Sequence, residues 1–158
     1  MPTTPDRDSR SRASRPNLQN TVRLSAKGLA KVLGDLEARV LRAVWELGCP
    51  STAREVHVRV VRRHKVELLT VITVLNKLVG KDILSRAKQD DLLHYAPRFT
   101  EEEFMALASR RVVEGIVSLG PAAVSASLVD VLAEKDPEQL AELGRLIRRR
   151  LKSGSSRG

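Results

Sequence analysis

ELLTVITVLNKLVGK, residues Glu67–Lys81, is the stretch whose reading decides the fold of this chain. Val71, Val74, Leu75 and Leu78 recur at three- and four-residue spacings, which lines them along one stripe of an α-helix and makes that side the buried one. Thr70, Thr73 and Lys77 then fall on the opposite side, with Asn76 beside them. Hydroxyl, carboxamide and ammonium groups on one exposed helical face suit the edges of bases in a DNA groove. An ordinary amphipathic helix with a wet polar side has the same spacing, so the flanking segments must decide between the two.

Upstream, Leu36, Val40, Val44 and Leu47 repeat at helical spacing, and Leu33, Leu41 and Trp45 widen the apolar side. This predicts a helix from Asp35 to Leu47, with Asp35 placed to cap its first turn and Gly48 and Pro50 to stop it. Thr52 followed by Glu55 has the spacing of a capping box. The helix it opens turns Ala53, Val56 and Val60 inward and leaves Arg54, Arg59, Arg62 and Arg63 in water. Arg62 to Lys65 makes the turn into the Glu67–Lys81 helix. Two helices joined by a short polar connection, with a third before them, predict a helix-turn-helix arrangement.

Downstream the period changes. Ile83 to Lys88 and Leu92 to Ala96 are two short segments around the polar Gln89-Asp90-Asp91, which predicts a β-hairpin closed by Pro97. Arg86 and Lys88 alternate to one of its faces. Thr100 with Glu103 then opens a helix carrying Phe104, Leu107, Ala108, Val112, Ile116 and Leu119. Pro121 opens a helix with Leu128 and Leu132, and Asp136-Pro137-Glu138 opens a last one with Leu140, Leu143, Ile147 and Leu151. These stripes are too sparse to close a core of their own against the ordering cost of about 1–2 kcal/mol per residue, so a homodimer through this segment is the expectation.

A chain of 158 residues has room for one domain of ordinary size with an accessory segment. Its formal charge is +9, and the charge is unevenly spread: net +6 over residues 52–89, −7 over 90–144 and +6 over 145–158. Cationic tails and a cationic helix-turn-helix point to an anionic partner. Scarce aromatic residues (Trp45, Tyr95, Phe99 and Phe104) argue for duplex DNA over single strands, which need exposed stacking platforms. A single cysteine, Cys49, excludes an intrachain disulfide and a multi-cysteine zinc site. His57, His64 and His94 lack ligand spacing, so no metal or other cofactor is expected. Phosphate loops, nucleophile elbows and metalloprotease motifs are absent from the sequence, which offers no basis for catalysis. Without a membrane-length apolar run or a signal-peptide core, a cytoplasmic protein with no membrane partner is the expectation.

Four stretches resemble the BlaI/MecI-type penicillinase repressors, dimeric winged-helix proteins of bacteria: LGDLEARVLRAVWELG (Leu33–Gly48), TAREV (Thr52–Val56), TVITVLNKL (Thr70–Leu78) and Tyr95-Ala96-Pro97. The resemblance implies a mainly α fold with a small β-hairpin: a winged helix-turn-helix DNA-binding domain over residues 28–99 and a C-terminal helical dimerisation segment over 100–152. Residues 1–27 are expected to be a disordered basic arm and 153–158 a disordered tail. The implied function is a transcriptional repressor whose homodimer binds an inverted repeat in double-stranded DNA. Its expected base-reading residues are Thr70, Thr73, Asn76 and Lys77, and its expected phosphate contacts are Arg54, Arg59, Arg62, Arg63, Arg86 and Lys88. Dimerisation would use Phe104, Leu107, Val112, Ile116, Leu119, Leu128, Leu132, Leu140, Leu143 and Ile147.

Two departures stand out. Glu67-Leu68-Leu69-Thr70 replaces the family's Ala-Tyr-Thr-Thr run, and Asp90-Asp91-Leu92-Leu93 replaces a Gly-Arg wing turn. Leu68 and Leu69 at the mouth of the helix favour a second reading, a winged-helix adaptor that binds protein rather than DNA. An inducible repressor also implies an effector or sensor partner, yet the cysteine-rich tail of the copper-responsive branch is missing and no residue pair here matches the family's cleavage position.

Overall fold

Three helices, a small sheet and a further helical segment appear in the computed structural model, which describes residues 28–156. The arm expected over residues 1–27 lies outside these, as do residues 157 and 158. A 3-10 turn at Gly28–Lys31 leads into α1 (Asp35–Leu47), a short strand β1 (Ser51–Thr52), α2 (Ala53–Val61), α3 (Leu68–Gly80), β2 (Leu84–Gln89), β3 (Leu92–Pro97), α4 (Glu101–Val117), α5 (Pro121–Lys135) and α6 (Pro137–Ser155). The chain divides into two units, Met1–Val112 and Val113–Gly158, so the boundary falls inside α4.

In the first unit each of α1, α2 and α3 packs on the other two. The sequence stripes supply the contact: Val40, Leu41 and Val44 from α1, Val56 and Val60 from α2, and Val71, Val74, Leu75 and Leu78 from α3 are all buried. The capping box forms at α2, where the Thr52 hydroxyl accepts from the Glu55 amide at 3.4 Å and the Thr52 amide donates to Glu55 Oε2 at 2.7 Å. At α1 the expectation needs correcting. Gly34 occupies the N-cap and no side chain caps there, while Asp35 is the first helical residue, one position too late for its carboxylate to play that part.

The sheet is antiparallel in the order β1-β3-β2. The hairpin turns at Asp90 and Asp91, whose φ values of 50° and 62° are both left-handed. That pair of signs is what a two-residue type I′ turn requires, and aspartate is among the few side chains that tolerate it, so the hairpin closes without the favoured Asn-Gly. The third strand has no sequence signature. Ser51 and Thr52 pair with Tyr95 and His94 immediately before the helix they cap, and two residues are too short to show an alternation.

Trp45 ties the start of α4 to this unit. Its indole N–H donates to the Phe99 carbonyl at 3.0 Å, and its ring lies 5.7 Å from that of Phe104 in a tilted arrangement. Phe104 is fully buried in the first unit's core, and Val112 packs against the same core. Phe104 therefore cannot supply a dimer contact, and this expectation is corrected; the first turns of α4 close the first unit instead.

The second unit is different in kind: α5 and α6 bury no residue fully. Leu119, Leu128, Val129, Val131, Leu146, Ile147 and Leu151 are all exposed large apolar residues. Asp136 caps α6 by accepting from the Gln139 amide at 3.2 Å. Within α6 the Arg145 guanidinium donates to Glu142 and, with added attraction from Arg149, holds that carboxyl below its ordinary 4.5. A lowered folded value contributes stability above the unfolded titration range that is lost as pH falls through it, and on so exposed a group salt screens it. The tail expected to be disordered from Ser153 is helical through Ser155: no proline interrupts it, and the Ser153 hydroxyl donates back to the Arg149 carbonyl at 3.0 Å.

Replacing Phe104 with Ala should destabilise the first unit by about 3–5 kcal/mol, the usual cost of an aromatic-sized void. Denaturant unfolding followed by the emission of Trp45 measures this directly. A loss under about 1 kcal/mol would place Phe104 outside the core.

Candidate nucleic-acid interface

Burial of one side of α3 determines what its other side offers. Val71, Leu75 and Leu78 are fully enclosed, whereas Thr70, Thr73, Asn76 and Lys77 are exposed on the far face. The Thr73 hydroxyl donates to the Leu69 carbonyl at 3.0 Å, which leaves its lone pairs and methyl group outward. Thr73 can thus accept from a base amino group or touch a thymine methyl, but it has no proton left to give. The Lys77 side chain makes no hydrogen bond or ion pair with another described residue, so its ammonium is available. Leu68 is half-buried and Leu69 is 74% exposed, so one aliphatic side chain stands at the helix mouth rather than two.

The end of α3 fixes where the hairpin goes. Asp82 has φ 59°, the Asp82 amide donates to the Val79 carbonyl and the Ile83 amide to the Leu78 carbonyl, each at 3.0 Å. This crossed pair is a Schellman termination with aspartate in the left-handed position, and its usual apolar accompaniment is present in buried Leu78 and Ile83. Two ion pairs brace the corner: Lys81 with Glu37 at 2.6 Å, which ties it to α1, and Arg98 with Asp82 at 3.2 Å.

Asn76 then joins helix to hairpin by its side chain. Its Oδ1 accepts from Arg86 Nη1 at 2.8 Å and from the Tyr95 hydroxyl at 3.0 Å. Arginine can only donate, so the carboxamide must present its oxygen to the hairpin. Bidentate recognition of adenine requires that same oxygen together with the amide hydrogens. With the oxygen shared by two intramolecular donors, only the hydrogens remain for an outside partner. Arg86 and Tyr95 are directly opposite in the β2–β3 register, which is why one acceptor reaches both.

The other expected cations separate into two groups. Arg54 and Arg62 are exposed with no ion pair among the described residues, and Lys88 lies 3.6 Å from Asp91 in a pair open to solvent on both sides. Arg59 and Arg63 instead turn to Glu46 of α1, at 3.8 and 3.0 Å. Sequence reasoning missed that pairing because Glu46 is on a different helix. It also missed Tyr95 and Lys81 as positioning residues; Tyr95 could have been found as a lone aromatic hydroxyl on the buried face of a hairpin, which needs a partner. His57, weighed as a metal ligand, has its Nε2 2.8 Å from the Val66 carbonyl and fastens α2 to the turn before α3. Among the described residues no cluster could hold a metal ion.

A family model described as penicillinase repressor matches residues 33–149. Two relatives, each named transcriptional regulator BlaI and coming from two strains of Mycobacterium tuberculosis, are 35% identical over 74 residues, which is 47% of this chain and 54% of theirs. The chain thus spans about half the length of the curated relatives it matches.

Asn76→Ala should cost about 1–3 kcal/mol, because the buried hydroxyl of Tyr95 loses its partner. The companion change Tyr95→Phe removes donor and demand together and should cost less. Thermal unfolding of both variants checks the order, and equal stability of Asn76→Ala and the parent would dismiss the clip.

Proposed function

This chain belongs to the penicillinase repressor family, and from that premise we propose that it is a transcriptional repressor whose homodimer binds an inverted-repeat operator in duplex DNA. One observation carries the reading: the exposed Thr70, Thr73 and Lys77 face of α3 has the Arg86 guanidinium anchored beside it through Asn76. A helix face of this kind fits the major groove, and an anchored cation at its flank fits the phosphate backbone.

The roles divide by chemistry. Thr70, Thr73 and Lys77 read base edges, Thr73 as an acceptor or a thymine-methyl contact and Lys77 as a donor to guanine. Asn76 serves as the clip between α3 and the hairpin and contributes at most its amide hydrogens. Arg54, Arg62, Arg86 and Lys88 hold phosphates, which sets register and affinity without specifying sequence. Repression follows from occupancy of promoter DNA.

Dimerisation falls to the second unit. Ile116, Leu119, Val124, Leu128 and Val131 line an open apolar groove of about 610 Å³, and exposed Ile147 and Leu151 extend α6 with further apolar surface. So much uncovered apolar area on one short segment is the usual mark of an interface, and a second copy of the chain is the occupant we favour. The adaptor reading keeps one supporting feature, exposed Leu69. It predicts a partner bound by apolar contact and indifferent to salt.

Fluorescence anisotropy against the operator and a scrambled duplex tests these assignments. Thr73→Ala should cost about 1 kcal/mol or more of discrimination and little nonspecific affinity. Arg86→Ala should weaken both duplexes alike and lower the salt slope by about 0.9. Equal losses for Thr73→Ala on both duplexes would remove it from the reading set. Leu128→Glu combined with Ile147→Glu should sediment as a monomer at concentrations where the parent is a dimer; an unchanged mass would move the interface elsewhere.

A further inference from the structure

A second cationic surface lies between α1 and α2. Arg39 and Arg42 from α1, with Arg59, Arg63 and His64 from α2 and the turn after it, surround a small groove lined also by Ala43 and Val60, with Glu46 as the one acid in its lining. No residue of α3 or of the hairpin lines it. Because each of the three helices packs on the other two, the outer groove between α1 and α2 opens on the side away from α3. Its lining shares no residue with the Thr70, Thr73 and Lys77 face.

The charges in this groove do not balance. Glu46 Oε1 accepts from Arg63 Nη1 at 3.0 Å and its Oε2 lies 3.8 Å from Arg59 Nη1. The side chains of Arg39 and Arg42 make no hydrogen bond or ion pair with any described residue. Four guanidiniums therefore face a single carboxylate, and most of their N–H donors lack an acceptor among the described residues. A guanidinium presents paired donors in a fork that matches a tetrahedral oxyanion, and its weak hydration makes the exchange of water for phosphate oxygen favourable. The room inside, about 50 Å³, takes a single phosphoryl group, so a sugar, a base or the second phosphoryl of a pyrophosphate stays outside it.

We propose that this groove is a phosphate-binding site, separate from the reading face, with Arg39, Arg42, Arg59 and Arg63 as its donors and Glu46 as the internal group that holds two of them in place and competes with the ligand. The phosphate belongs either to a small phosphorylated molecule or to the backbone of a second duplex segment. The site stands independently of base reading by α3, since it shares no residue with that face.

Calorimetric titration of the full chain with inorganic pyrophosphate, at ionic strength held constant with chloride, tests the site. Arg39→Ala with Arg42→Ala should weaken binding by about tenfold or more, and Glu46→Gln should strengthen it severalfold. Arg148→Ala with Arg150→Ala, which removes the same charge from α6, should leave it unchanged. Duplex binding over a range of salt separates the two sources. A slope unchanged in the Arg39→Ala, Arg42→Ala variant, with pyrophosphate binding lost, assigns a small phosphorylated ligand; a slope lowered by about 2 assigns a DNA backbone. Pyrophosphate binding no weaker in that variant than in the α6 control, together with an unchanged duplex slope, would overturn the proposal.

Discussion

Burial of the Val71, Val74, Leu75 and Leu78 stripe is the constraint on which the rest of the structure depends. These side chains close the core between α1, α2 and the hairpin, and rotating α3 about its axis would put Thr70, Thr73 or Lys77 into an aliphatic interior. Burying an unpaired hydroxyl costs about 1–3 kcal/mol and an unpaired ammonium more, while the apolar stripe would lose its own contribution of about 1.5–3 kcal/mol for each fully buried side chain. The outward face of α3 is therefore set by what the inward face must do. From that fixed orientation the left-handed Asp82 turns the chain, Leu78 and Ile83 lock the turn, and Asn76 draws Arg86 to the helix. The exposed face of α3 and its flanking cation are thus positioned by one short run of backbone and one side chain.

The chain distributes its stability unequally between its two units. In the first, three helices, a small sheet and the opening turns of α4 enclose a core that, among the described residues, numbers eighteen and includes Tyr95 and Phe104, enough for a small domain to close. In the second, α5 packs on α6 with Leu132, Leu140 and Leu143 only half-buried, while Leu128, Val129, Val131, Leu146, Ile147 and Leu151 stay exposed. The charge pattern follows the same division: cations gather around the helix-turn-helix and at the end of α6, and acids predominate between residues 90 and 144. A segment with low charge of the attracting sign and abundant exposed aliphatic residues suits self-association better than contact with DNA.

Much of this was legible in the sequence, and the remainder was not for identifiable reasons. Helical periodicity gave α1, α2 and α3 to within a residue of their ends, and the Thr52–Glu55 box marked its helix because both halves of a capping box are local. The Asp90-Asp91 turn was readable as a polar break between two short segments, although its left-handed conformation was not. Features that depend on distant residues escaped. Glu46 collects Arg59 and Arg63 across two helices, Asn76 is claimed by residues ten and nineteen positions on, and β1 exists only because β3 passes beside it. Phe104 looked like the first residue of a C-terminal stripe, since spacing along one helix cannot tell which of two units its opening turns will join. For the site, the sequence named the residues that carry hydrogen-bonding groups, and the fold decided which of those groups remain available.

Selection from a random duplex library by the full chain, sequenced after several rounds at two salt concentrations, tests the central claim most directly. If the exposed face of α3 reads bases in a dimer, the pool converges on an inverted repeat whose half-sites lie about one helical turn apart, preferred about a thousandfold or more over random duplex, and retention falls steeply with salt. A pool that stays random while retention still falls with salt would contradict sequence reading by this helix. Retention that ignores salt altogether would contradict DNA as the partner.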